Sequence, residues 1–151
     1  MKKIFFVLCA SLILTSCQND DSTTENQLKT IDFEKFTLKT PLDWNRFYPQ
    51  GTDGFYGGLT DKKDTLYFDY GPFAFTSLDD IQSTEYTISI EELVVNSFDS
   101  KIIMSRTLEE DKFALGFYTV KGDSENTNSI YSYNMKNEQT LRQIFFSHKF
   151  K

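Results

Sequence analysis

DGFYGGLTDKKDTLYFDYG, residues 53–71, is the stretch that decides the fold. In its second half the apolar Leu66 and Phe68 alternate with Tyr67 and Asp69. A period of two residues is typical of a strand with one buried face, and the intervening DKKD is a polar turn. The stretch therefore predicts a β-hairpin, the starting point for a fold made mostly of antiparallel strands.

Alternating patterns recur on both sides of this hairpin. The polar segment GDSENTNS, residues 122–129, is predicted to be a loop between two of them, and Pro41 is predicted to stop the first. The further predicted strands are FTLK (36–39), SKIIMSR (100–106), FALGFYTVK (113–121) and IYSYNMK (130–136).

One segment, residues 83–98, carries two competing patterns. Its apolar residues alternate from Tyr86 onward, which favours a strand. Ser89 and Glu92 have the spacing of a capping box, and the apolar residues that follow have helical spacing. We predict a strand from about Tyr86 to Val95, with a helix as the alternative.

The C-terminal segment NEQTLRQIFFSHKF, residues 137–150, has a helical pattern. Leu141, Ile144 and Phe145 share one helical face, and Asn137 is a suitable N-cap residue. Together these segments predict an α+β fold, in which an antiparallel β-sheet of about six or seven strands has a C-terminal helix packed on one face.

A resemblance to a known family follows from the order of these elements. FTLKTPLDW (residues 36–44), then a hairpin meander, then a final helix with a Phe-x-Phe-like end, resembles the PsbP-like α/β/α sandwich of small exported lipoproteins. The resemblance covers most of residues 33–150. It implies a binding or accessory role and carries over no catalytic residue.

The N-terminus has the pattern of an export signal. Lys2 and Lys3 precede IFFVLCASLILT, residues 4–15, which contains no charge. A basic start followed by a short apolar run is typical of a signal peptide. The alternatives are a membrane-spanning anchor, which needs about 20 apolar residues, and an ordinary secretory signal.

The end of this run resembles a bacterial lipobox. In LTSC, residues 14–17, an aliphatic residue and two small residues precede the cysteine. The resemblance implies cleavage after residue 16 and acylation of Cys17, and several acyl chains anchor a protein durably. The residues that follow resemble the surface-export tag of Bacteroidetes lipoproteins: Gln18, Asn19, Asp20 and Asp21. The tag implies an outer-membrane protein that faces outward; alternatively, these residues only begin a solvated tether.

The predicted organisation has three parts: a signal peptide at 1–16, a flexible tether at 17–30 and a single β-rich domain at 31–151. The chain has 16 Lys and Arg against 22 Asp and Glu, a net charge of −6. Loss of Lys2 and Lys3 with the signal makes the mature chain more acidic still. We therefore expect no nucleic-acid partner and a membrane partner through the N-terminal lipid.

Residue types limit the chemistry of the domain. The only cysteines are Cys9, in the signal, and Cys17, so no thiol remains for a disulfide or a metal. The only histidine, His148, is expected to be on the surface or partly packed, and we predict no metal, cofactor or catalytic residue. Paired carboxylates leave a glycan-directed hydrolase as an alternative. The pairs are Asp61/Asp64, Asp79/Asp80, Glu91/Glu92 and Glu109/Glu110.

Aromatic residues are the remaining indication of function. Trp44, Tyr48, Tyr56 and Tyr70 are the candidate binding residues, because exposed rings give a ligand large contact area at low entropic cost. The alternative is that these rings fill the core. The sequence thus predicts a binding or accessory lipoprotein with a protein or glycan ligand; a purely structural envelope component is a further alternative.

Overall fold

The computed structural model describes residues 27–48, 55–72, 74–109, 111–122 and 124–151. The predicted signal peptide, lipidation site and sorting residues lie outside the described residues: Cys17, Gln18, Asn19, Asp20 and Asp21. Within the described part of the chain, no helix combines the length and the apolar character that crossing a bilayer requires.

The described residues form ten β-strands and one α-helix, with two short 3-10 turns at Leu78–Asp80 and Ser124–Asn126. The strands are β1 (Leu28–Asp32), β2 (Phe36–Pro41), β3 (Asn45–Phe47), β4 (Phe55–Thr60), β5 (Thr65–Tyr70), β6 (Thr87–Val95), β7 (Phe98–Arg106), β8 (Phe113–Val120), β9 (Thr127–Ser132) and β10 (Lys149–Phe150). The helix is α1 (Glu138–Phe146).

The strands form two antiparallel sheets. The large sheet has the order β3-β4-β5-β9-β8-β7-β6, and the small sheet has the order β1-β2-β10. The mostly antiparallel α+β class and the C-terminal helix are confirmed, but the predicted count of six or seven strands is too low. Strands β3 and β10 were missed because three and two residues are too few to show alternation. Strand β1 was missed because it begins at Leu28, inside the predicted tether.

The predicted hairpin is strands β4 and β5, with Phe55 opposite Tyr70 and Thr60 opposite Thr65. Its turn is held by Asp61, whose Oδ1 accepts hydrogen bonds from the backbone N–H groups of Lys63 and Asp64 at 2.8 and 2.7 Å. An aspartate that bonds the backbone two or three residues ahead stabilises a turn. The polar DKKD segment is therefore the turn that the sequence predicts.

The segment at residues 83–98 is a strand, as predicted, and not the alternative helix. Strand β6 pairs with β7 along its whole length, from Thr87 opposite Ser105 to Val95 opposite Phe98, with one bulge near its start. The ladder supplies a backbone partner for each paired residue, and this tertiary pairing outweighs the local capping-box signal at Ser89.

The predicted loop at residues 122–129 is wrong in its second half, because strand β9 begins at Thr127. The polar residues at the start of β9 are buried, and they are hydrogen-bonded, as buried polar groups usually are. Thr127 Oγ1 donates to the carbonyl oxygen of Gly71 at 2.7 Å, and Asn128 Nδ2 lies 2.9 Å from His148 Nε2. Because these partners are distant in sequence, the local sequence shows only polar residues, and its composition suggested a loop.

Helix α1 packs as the sequence predicts. The Asn137 side chain accepts a hydrogen bond from the Thr140 N–H at 3.1 Å, and Leu141, Ile144 and Phe145 are buried. The Phe145 ring stacks 5.4 Å from Phe117 of β8. At the far end, Ser147 Oγ accepts from the Lys39 N–H of β2 at 2.7 Å.

The small sheet and α1 therefore cover the same face of the large sheet, and the core lies between the layers. Phe33 and Phe36 pack on Phe68 of β5, with ring centroids 4.8 and 5.1 Å away. Alternate residues of β5, β7 and β8 complete the core with Leu66, Ile102, Leu115 and Phe117. The opposite face of the large sheet carries no second sheet in the described residues.

His148 is buried in this core, with 1% of its surface exposed, so the expectation of a surface or partly packed histidine is wrong. Its ring lies 4.6 to 5.6 Å from the rings of Phe36, Phe117 and Phe150. Burial lowers its pKa to about 3. An imidazole in such a site is kept neutral, because desolvation penalises its charged form.

The free energy of unfolding should therefore fall when the pH drops below 6.5. The unfolded chain takes up a proton at His148 near pH 6.5, whereas the folded state does so only near 3. Protons thus favour the unfolded state by up to about 1.4 kcal/mol per pH unit in this window. Urea unfolding between pH 6.5 and about 5, where most carboxylates stay ionised, measures the slope.

The matched variant for this prediction is His148→Phe. It leaves Asn128 without its partner, so its stability should be lower at every pH, but its pH slope in this window should be flatter than that of the wild type. Equal slopes in the two proteins would show that His148 does not cause the acid sensitivity.

Candidate functional site

Two of the predicted binding residues belong to the core. Trp44 is 1% exposed and part of the main hydrophobic cluster, so its ring presents no surface to a ligand. The Tyr70 ring stacks with Phe36 at 6.1 Å, and its hydroxyl donates to Asn126 Oδ1 at 3.0 Å. For these two residues the core alternative is the correct interpretation.

The other two predicted residues lie nearer the surface. Tyr48 follows the edge strand β3, is about half exposed, and has the Arg46 guanidinium 5.7 Å from its ring centroid. Tyr56 is half-buried on β4, opposite Asp69 of β5 in the strand register. The four residues are therefore not brought together as one site.

The structure instead brings together tyrosines that the sequence did not single out as a site. Tyr67 of β5 is paired with Tyr131 of β9, and their rings stack at 6.1 Å on the face of the large sheet opposite the small sheet. Tyr133 lies 5.1 Å from Tyr131 and 5.9 Å from Tyr67. These three rings form a continuous aromatic surface, on which Tyr67 and Tyr133 are exposed.

The aromatic surface contains one carboxylate, that of Asp69. The Tyr131 hydroxyl donates to Asp69 Oδ2 at 2.8 Å. Burial, and then the hydrogen bond to Asp69, raise the pKa of Tyr131 far above its ordinary value. The Tyr131 hydroxyl therefore stays protonated and holds the Asp69 carboxylate in a fixed position.

A groove of about 260 Å³ lies beside these rings. Besides Asp69, Tyr131 and Tyr133 it is lined by Tyr118, whose ring lies across Gly116. A Cβ atom at Gly116 would come within 2.8 Å of that ring, so the glycine permits its close approach. Ser105 and Ser129 add hydroxyl groups to the lining. We call this site, together with Tyr67, the tyrosine groove.

The sequence indicates on which side of each strand the groove residues lie, but not which strands are neighbours. In TLYFDY and IYSY, Tyr67, Asp69 and Tyr131 occupy positions that alternate with the core residues Leu66, Phe68 and Ile130. This alternation places Tyr67 and Tyr131 on the outer side of their strands. Only the pairing of β5 with β9, which are separated by more than fifty residues, makes them neighbours.

Several carboxylates of the predicted pairs have structural partners. Glu91 accepts two hydrogen bonds from Arg142 of α1 at 2.6 and 2.9 Å, which lower its pKa, while Glu92 pairs with Lys101 at 3.3 Å. Asp80 closes the capping box of the turn at Leu78–Asp80.

Both carboxylates of the Asp61/Asp64 pair accept hydrogen bonds as well. Asp61 accepts from the backbone of the hairpin turn, and Asp64 accepts from two backbone N–H groups just before α1. Glu110 lies outside the described residues. In the part of the chain that the structure describes, no three potential ligand side chains cluster to hold a metal ion.

Comparison with known proteins finds similarity in structure but not in sequence. No family model matches the chain, and no curated protein matches it. Among solved structures, a crystal structure of a protein from Bacteroides thetaiotaomicron VPI-5482 has a TM-score of 0.54 and 10% sequence identity. The match covers 83% of this chain and 48% of that one, so this chain corresponds to about half of the other. At this identity the similarity concerns the fold alone.

Proposed function

We propose that this protein is a non-catalytic, lipid-anchored binding lipoprotein of the outer membrane whose tyrosine groove binds a glycan. The observation that carries the proposal is the cluster of the Tyr67, Tyr131 and Tyr133 rings, with the Asp69 carboxylate bonded to Tyr131, on the face of the large sheet opposite the small sheet. The role agrees with the binding or accessory role that the resemblance to PsbP-like lipoproteins implies.

The chemistry of the groove suits a sugar. A pyranose ring has apolar C–H faces, which pack on exposed aromatic rings, and a rim of hydroxyl groups, which need directional hydrogen-bonding partners. Tyr67 and Tyr133 provide the rings, and Asp69 with the serine hydroxyls provides the partners. Ligand sites typically combine apolar walls with a few fixed polar groups, and about 260 Å³ fits a single sugar unit better than an extended peptide.

The hydrolase alternative is less well supported by this site. Glycosidases generally use two carboxyl groups about 5 to 10 Å apart on either side of the bond that breaks. Among the described residues that line the groove, Asp69 is the only acid, and its carboxylate is already bonded to Tyr131.

A binding test on the purified protein with an array of soluble oligosaccharides checks the proposal. Tyr133→Ala should weaken the binding of the best oligosaccharide by about tenfold or more, because truncating a contacting aromatic residue typically costs over 1 kcal/mol. Tyr133 is well exposed, so the variant should keep the wild-type thermal stability.

Tyr86→Ala is the matched control, since Tyr86 is also an exposed tyrosine and does not line the groove. It should bind as the wild type does. Equal losses in both variants, or no bound oligosaccharide, would refute the glycan-binding role; a purified protein partner that loses affinity only with Tyr133→Ala would replace the glycan by a protein ligand.

The lipid anchor is a separate part of the proposal and rests on the lipobox-like LTSC sequence at residues 14–17. Cys17→Ala removes the acylated thiol and should move the protein from the membrane fraction of the cells to the soluble fraction. Replacing Asp20 and Asp21 with alanine should abolish antibody labelling of intact cells. Unchanged fractionation would refute acylation, and unchanged labelling would refute the export tag.

A further inference from the structure

A second groove, of about 770 Å³, lies on the outer side of the small sheet, where it meets the end of α1. Lys39 of β2 and Lys149 of β10 line it and are exposed. Leu28 of β1 and Phe146 of α1 border the same groove, and about half of each side chain is exposed. We call this surface the lysine groove.

The charge of this surface differs from that of the whole protein. The chain has a net charge of −6, yet the described residues that line the lysine groove include no Asp or Glu. Two cations beside two exposed apolar side chains suit an anionic lipid surface, because lysines pair with headgroups while apolar groups enter the interface.

The surface is rigid enough to act as a unit. Ser147 Oγ accepts from the Lys39 N–H at 2.7 Å, and Asn96 Nδ2 donates to the carbonyl oxygen of His148 at 2.6 Å. These bonds connect the end of α1 to β2 and to the turn between β6 and β7. Phe146 and Lys39 therefore stay on one surface.

The path of the chain leads to the same side of the molecule. The described domain begins with β1 at Leu28, which lines the groove. Ten residues separate Leu28 from Cys17, and an extended chain of that length spans at most about 40 Å. A lipid on Cys17 would thus keep this side of the domain within reach of the bilayer.

We infer that the lysine groove is a docking surface for the anionic headgroups of the bilayer in which the protein is anchored. The inference rests on the lipid anchor proposed above. Docking through the small sheet and α1 turns the opposite face of the large sheet away from the membrane, so the tyrosine groove faces outward.

The test uses the full chain as isolated from cells, reconstituted into vesicles of phosphatidylcholine alone or of phosphatidylglycerol mixed with phosphatidylcholine. An amine-reactive reagent labels the lysines, and mass spectrometry compares Lys39 and Lys149 with Lys62 and Lys63, which are exposed but do not line the groove. In the anionic vesicles the relative labelling of Lys39 and Lys149 should fall by roughly threefold or more. An unchanged ratio would overturn the docking inference.

Flotation of the same samples separates this inference from the lipid anchor. A chain that floats with pure phosphatidylcholine is anchored by its lipid, and the labelling ratio then decides docking. A chain that floats only with anionic vesicles lacks the anchor. The partition of this protein from water into the anionic vesicles should then be roughly 30-fold weaker in the double variant Lys39→Gln/Lys149→Gln. It should stay unchanged in the double variant Lys62→Gln/Lys63→Gln. Flotation with neither vesicle, or equal losses in both variants, overturns docking.

Discussion

Trp44→Ala is expected to lower the free energy of unfolding by about 3 to 5 kcal/mol, the cost of deleting a large, fully buried aromatic side chain. Trp44 is 1% exposed and is the largest of the fully buried side chains in the described core. The indole follows the strand that ends at Pro41 and belongs to the same cluster as Phe36 and Leu59. A single domain is typically stable by about 5 to 15 kcal/mol, so this loss removes a large part of the total and should lower the melting temperature clearly.

The measurement is urea unfolding followed by far-ultraviolet circular dichroism, because Trp44 is the only tryptophan and its loss removes the fluorescence signal. Tyr48→Ala is the matched control, since Tyr48 is a nearby aromatic residue that is about half exposed. It should change stability by less than about 1 kcal/mol. A Trp44→Ala protein as stable as Tyr48→Ala would contradict the core role and restore Trp44 as a binding residue.

Asp64→Ala should lower the free energy of unfolding by about 3 kcal/mol, because it removes the charged acceptor of two backbone hydrogen bonds. The Asp64 carboxylate is 3% exposed. Its two oxygens accept hydrogen bonds from the backbone N–H groups of Lys136 and Asn137 at 2.7 and 2.9 Å. These bonds attach the turn of the β4–β5 hairpin to the residues that begin α1, so the effect reaches both elements.

Two further variants identify the cause of this loss. Asp64→Asn keeps the shape but provides one acceptor oxygen for two N–H donors, so it should be intermediate in stability. Asp43→Ala removes an exposed acid from a turn and should be nearly neutral. A loss in Asp64→Ala no larger than that in Asp43→Ala would show that the carboxylate does not join the hairpin to the helix.

Local patterns in the sequence were sufficient for most elements of the fold. The alternation of Leu66 and Phe68 predicted strand β5 and its hairpin, and the spacing of Leu141, Ile144 and Phe145 predicted α1. Both signals come from residues a few positions apart, whose burial depends on one face of one element. The strand at residues 86–95 was also predicted, although its helical spacing competed with the alternation.

Features that depend on distant partners were not predictable in the same way. The polar start of β9 suggested a loop, because the burial of Thr127 and Asn128 is possible only with Gly71 and His148 as hydrogen-bonding partners. His148 was expected near the surface for the same reason, since no local pattern shows that Phe36, Phe117 and Phe150 surround it.

The candidate site shows most clearly which features the local sequence predicts and which depend on the tertiary structure. The sequence by itself determined that the chain is acidic, that its domain has no thiol once Cys17 is acylated as predicted, and that its strands carry tyrosines on alternate positions. The tertiary structure decided which aromatic residues are available to a ligand. It buried Trp44 and brought Tyr67 beside Tyr131. The reason is physical: alternation sets the side of a strand on which a residue lies, but only strand order and the covering layer decide whether that side is core or surface.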